Sequence, residues 1–205
     1  MIHENKDEFI KALGRASKKG GFLLPLIEKD YYLTLILSRV YELSENLVFK
    51  GGTCLNKIYY SYYRLSEDLD FTMILPDKKT TRVAKRRTIK PVKALLSSYV
   101  NNYDMDVDGI ENAGRNESSQ YIFYITYNSV VVNSRQSIKI EIGLRYNPIL
   151  PVEKQRINHK FLHPFTKEPL FDGGSVNCLS LKELVLENQY HRSLLEQLLY
   201  ELLLL

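Results

Sequence analysis

Two short stretches hold residues that could do chemistry together. Lys50-Gly51-Gly52-Thr53-Cys54-Leu55 follows the apolar run Leu47-Val48-Phe49, and Arg64-Leu65-Ser66-Glu67-Asp68-Leu69-Asp70-Phe71 comes shortly after it. Adjacent glycines let the backbone approach a phosphate closely, and a helix starting there would aim its unpaired N–H groups at the anion. In a strand, residues two apart share a face, so Asp68 and Asp70 would present paired carboxylates while Leu69 and Phe71 turn to a core. Paired carboxylates of this kind hold magnesium on a nucleotide. Either half alone is usually an ordinary turn or a solvated strand edge. In the order strand, turn, helix, strand they make the two halves of a phosphotransfer site.

The elements that must position these residues can be traced along the 205-residue chain. Residues 1–20 read as a polar helical lead-in ending at Gly20-Gly21. Over 26–43, Ile27, Tyr31, Leu35, Leu37 and Val40 recur at near-helical spacing, with Glu28, Lys29 and Asp30 read as the charged first turn of an amphipathic helix. After the strand at 69–75, a helical segment over 80–103 is interrupted by Pro91, where a break or kink is expected. Residues 104–119 read as irregular and 120–132 as β-rich. The clearest strand is 137–145, with Ile138, Ile140, Ile142 and Leu144 on one face and Ser137, Lys139, Glu141, Gly143 and Arg145 on the other. Pro148, Pro151, Pro164 and Pro169 mark a long connection. A short strand at 176–179, an N-cap at Ser180 and a leucine-rich helix over 181–205 follow.

Phe49-Lys50-Gly51-Gly52-Thr53, taken with the run from Arg64 to Phe71, resembles the AbiEii toxin family of type IV toxin–antitoxin, abortive-infection systems, and Glu28-Lys29-Asp30-Tyr31 extends the likeness back to about residue 26. The resemblance implies an α/β (α+β) nucleotidyltransferase fold, a mixed sheet flanked by helices. The expected parts are an N-terminal helical segment (1–45), a nucleotidyltransferase core (46–146) and a connection with a short helical C-terminal tail (147–205). It implies metal-dependent transfer of a nucleotidyl group from a nucleoside triphosphate to RNA, in particular the 3′ end of tRNA, and a cognate antitoxin as partner. Such sites commonly take a third carboxylate from a neighbouring strand, and Glu141 is the acidic residue placed to supply it. In that scheme Asp68, Asp70 and Glu141 hold Mg2+, Gly51, Gly52 and Thr53 bind the triphosphate, Lys50 and Lys139 neutralise phosphate charge, and Arg64 and Ser66 line the entrance. Glu141 is then expected on a strand beside that of Asp68 and Asp70, and the glycine turn in the same cleft as the two aspartates.

The family pattern is departed from near the C-terminus, where Glu187 is followed by Asn188 rather than lysine and no Arg-Asp pair comes after. A shortened member that binds nucleotide, RNA or antitoxin without turnover is therefore one alternative; a small-molecule or protein acceptor is another. Composition narrows the partners. The net charge is +4, yet eight basic residues and no acidic one fall between Lys78 and Lys93, so the rest of the chain is net acidic. Lys85, Arg86 and Arg87 in that block are the expected RNA contacts. Cys54 and Cys178 fit no metal spacing, and no long apolar run or signal-like N-terminus is present, which points to a cytoplasmic, non-membrane protein.

Overall fold

The structure is a computed structural model that describes residues 1–60, 65–76 and 81–189. Helix α1 (Lys6–Gly20) begins where the Asn5 side chain accepts the Glu8 N–H at 3.2 Å and ends where Gly21 takes φ 71°. Helix α2 (Leu24–Ser38) is buried on nearly all sides rather than amphipathic. Glu28 and Asp30, expected as a solvated first turn, are 1% and 2% exposed. They can be buried because each is fully engaged. Glu28 Oε1 accepts the Val130 N–H at 2.7 Å and its other oxygen accepts the Ser129 hydroxyl, while Asp30 meets Lys57 Nζ at 2.7 Å.

Among the described residues, eight strands form one mixed sheet: β1 (Leu47–Lys50), β2 (Asp68–Met73), β3 (Asp106–Asp108), β4 (Gly114–Arg115), β5 (Gln120–Asn128), β6 (Arg135–Gly143), β7 (Glu153–Arg156) and β8 (Ser175–Cys178). Their order is β3-β5-β6-β2-β1-β8-β7, with β4 pairing β5 off this path. β2 runs antiparallel to β1 and parallel to β6, and β1 is parallel to β8. Leu47, Val48 and Phe49 are all buried, as a central strand covered on both faces requires. β7 escapes sequence reading because Glu-Lys-Gln-Arg has no apolar alternation; its charges suit a sheet edge, where they discourage pairing with another chain.

Helix α4 (Arg82–Asn101) runs unbroken through Pro91, contrary to the expected interruption. Ile89, Val92, Leu96, Tyr99 and Val100 pack one face on the core to either side of the proline, which itself lies exposed, so burial holds the helix across the missing hydrogen bond. Downstream, Ser180 accepts the Glu183 N–H and opens α5 (Leu181–Gln189); the part of the leucine-rich tail expected to be helical beyond it lies outside the described residues.

Candidate active site

Strand β1 delivers Lys50 and then turns at Gly51, φ 74°, into a short helix α3 (Gly51–Cys54) that passes directly into a π-helical turn, Leu55–Tyr59. Few residues other than glycine adopt that φ, and space forbids a side chain as well. A Cβ on Gly51 would lie 2.5 Å from Asp70 Oδ2. The glycine turn and the Asp-x-Asp strand are thus in contact. The Thr53 hydroxyl donates to the Asp68 carbonyl at 2.6 Å, and the Asn56 amide donates to the Gly52 carbonyl at 2.9 Å, locking the turn to β2 and to the helix after it.

Register then places the charged residues in rows. Lys50 pairs with Asp70 across β1 and β2, and Asp70 pairs with Glu141 across β2 and β6, so the three share one face in a line over adjacent strands. Asp68 pairs with Lys139 in the neighbouring row, which Tyr124 of β5 continues. Leu69 and Phe71 face the opposite side, into the core. Burial is the main cause that raises Asp70 above its ordinary value, followed by repulsion from Glu141; Asp68 adds to this, and Lys139 and Lys50 oppose it. For Glu141 burial acts upward too, but hydrogen bonds from Lys139 Nζ at 2.9 Å and Gln120 Nε2 at 2.6 Å outweigh it and lower the carboxyl. The same bond to Glu141 raises Lys139.

Two of these partners were not evident in the sequence as site residues. Gln120, at the start of β5, gives no compositional signal; only the hairpin register brings it to Glu141. Glu187 reaches back from α5 so that Lys50 Nζ donates to its Oε2 at 2.9 Å. Its place at the family's Glu-Lys position was the available cue.

With this geometry in view, the comparison with protein families is decisive. The model described as "Nucleotidyl transferase AbiEii toxin, Type IV TA system" matches residues 35–187, from within α2 to Glu187 itself. The chain belongs to the AbiEii family. No curated protein matches it. Two solved Helicobacter pylori structures are similar at 18% identity: one, described as a candidate nucleotidyltransferase, has a TM-score of 0.47 and covers 82% of this chain and 58% of its own. The other, JHP933, has a TM-score of 0.48, with 80% of this chain and 55% of its own covered. The chain thus spans less than three-fifths of the length of either.

Among the remaining AbiEii motif positions, Ser66 is half-buried in the extended segment leading into β2, and Arg64 lies outside the described residues. Among the described residues, no three acidic, histidine or cysteine groups gather closely enough to hold a metal. The two oxygens of Glu141 are engaged by Lys139 and Gln120. Asp68 and Asp70 nevertheless fit a hard divalent cation. They are oxygen donors on one face of one strand, and the repulsion that raises Asp70 is what a cation would relieve. On α4, Lys85 Nζ donates to Ser119 and Arg86 Nε to Ser118, at 3.0 and 3.1 Å, and Arg86 and Arg87 are both exposed. Consecutive residues of a helix point in different directions, so the sequence triple makes no single surface. No helix among the described residues is long and apolar enough to cross a membrane.

Proposed function

We propose that this AbiEii-family chain is a metal-dependent nucleotidyltransferase that moves a nucleotidyl group from a nucleoside triphosphate to an RNA hydroxyl, tRNA being the expected acceptor, in a cytoplasmic toxin–antitoxin system. The observation that carries this reading is the Lys50–Asp70–Glu141 row, with Gly51 packed against Asp70. The backbone of Gly51, Gly52 and Thr53 takes the triphosphate, Arg64 and Ser66 flank its entrance, and Lys50 and Lys139 offset its charge. Asp68 and Asp70 would hold Mg2+, with Glu141 assisting either the cation or the incoming hydroxyl. Held by these carboxylates, a divalent cation would offset the negative charge on the α-phosphate and on the departing pyrophosphate. The RNA oxygen forms the new bond to the α-phosphorus as the bond to the β-phosphate oxygen breaks, and in this reading the hydroxyl proton passes to Glu141.

A second reading, binding without turnover, is favoured by the double engagement of Glu141. Incubating the protein with each labelled triphosphate, Mg2+ and total RNA separates the two. Label entering RNA, and lost in Asp68→Asn and Asp70→Asn, is the expected result. Label entering protein or small molecules instead would replace the acceptor, and triphosphate binding without any transfer would establish the second reading.

A further inference from the structure

A groove between α4 and the loop over 111–118 lies outside the carboxylate rows and has no part in the chemistry above. It encloses about 760 Å³ and is walled on one side by Arg82, Arg86, Lys90 and Lys93 of α4, with Arg115 opposite. The four α4 residues fall three or four apart, on one helical face about 16 Å long. Glu111 and Glu117 are the acidic groups in the lining, and Lys93 Nζ lies 3.6 Å from Glu111, so cations prevail five to two. The far wall is a turn in which Asn116, Glu117 and Ser118 have φ of 48°, 54° and 65°, and its Ser118 hydroxyl holds Arg86.

This groove is joined to the candidate active site through two amides. Asn116, in the lining, donates to Gln120 Oε1 at 2.7 Å, and Gln120 donates to Glu141 Oε1 at 2.6 Å. A chain lying in the groove therefore passes one side chain's length from the residue that holds Glu141.

We propose that the groove binds the phosphodiester backbone of the RNA acceptor and leads its reactive hydroxyl toward the Glu141 end of the row, an inference that rests on the RNA reading above. Evenly repeated cations along a helix face match a ligand with one phosphate per nucleotide better than an acidic peptide of irregular charge spacing. The guanidinium forks of Arg82, Arg86 and Arg115 suit phosphate oxygens. The contact surface is then the Arg82–Arg86–Lys90–Lys93 face, and Arg87 is outside it.

The test compares R82A/K90A with R87A. A fluorescein-labelled uridine dodecamer is titrated over a salt series, with Mg2+–ATP binding measured in parallel. The double variant is expected to bind the dodecamer roughly tenfold more weakly and to lose about 1.4 from the log–log salt slope, two single-strand phosphate contacts at ~0.7 each, while R87A changes neither. As a measurement on the wild type, the dodecamer should shield Lys90 and Lys93 from an amine-acylating reagent while the exposed Lys11 and Lys18 of α1 stay reactive. Equal losses in the two variants, an unchanged slope in R82A/K90A, or unprotected Lys90 and Lys93 would overturn the proposal. So would polyglutamate displacing the dodecamer and losing affinity in the same variant, which would assign the groove to an acidic protein. The underlying reading fails separately. A dodecamer seated in the groove of a protein that transfers no label to any RNA supports the groove alone, whereas labelled RNA with full-strength binding by R82A/K90A overturns the groove alone.

Discussion

Asp70 is the residue on which the others bear. Gly51 comes so close that an alanine there would collide with its carboxylate while also holding φ 74°. Gly51→Ala should therefore cost about 1–2 kcal/mol in stability, seen as a lower urea midpoint, and should depress transfer far more than that loss explains because Asp70 must move. Titration behaviour separates Asp70 from Glu141. Because folding raises Asp70 above 3.8, the native state gains a proton there, and stability falls as pH rises from that value through the folded one, staying reduced above it. Glu141 is lowered below 4.5, so its contribution is present above 4.5 and is lost as pH falls through the folded value. Removing one donor from Glu141 should weaken that second effect. Gln120→Ala is expected to move the acidic limb of the pH–rate profile upward and lower transfer roughly tenfold, the scale seen for groups that orient a ligating side chain. A profile with an unmoved acidic limb would make Gln120 merely structural.

At the scale of elements, buried charges decide where the site strands lie. Glu28 of α2 holds the turn at 129–132 between β5 and β6, and that hairpin sets the register that carries Lys139, Glu141 and Gln120. Asp30 of the same helix pairs with Lys57, which also donates to Thr34 at 2.8 Å and fastens the helical turn behind Gly51-Gly52 to α2. Lys57 is only 1% exposed, so losing its partner strands an ammonium group in the core. Asp30→Ala should cost about 3–5 kcal/mol by chemical denaturation, whereas a double replacement by apolar residues of similar volume should recover most of it. A loss under 1 kcal/mol in the single variant would show that Lys57 finds water instead.

For the whole molecule, the site carries a cost that a ligand can remove. Asp68 and Asp70 share one sheet face with Glu141 while folding leaves Asp70 raised, so a cation held there, as proposed, would stabilise the native state alone. Magnesium at about a hundred times its dissociation constant should add about 2.7 kcal/mol, read as an upward shift in Tm. Asp70→Asn should melt higher than wild type at pH 7 without the cation and should lose the magnesium shift. A wild-type Tm unmoved by magnesium, with unaltered melting in Asp70→Asn, would show that the carboxylates carry no such cost.

What the sequence determined by itself was local. The two glycines before a helix, the Asp68–Leu69–Asp70 alternation and the Ile138-to-Leu144 alternation each express a short-range period, and each keeps its place in the fold. What only the tertiary structure decided was which of these periods meet. Parallel pairing of β2 with β6 brings Glu141 beside Asp70 across 71 residues of sequence, and α5 returns Glu187 to Lys50 across 137. The burial of Glu28 and Asp30 and the unbroken course of α4 through Pro91 are of the same kind. Propensity and charge count only the cost of such choices, whereas the hydrogen bonds and packing that offset it come from partners distant in the chain.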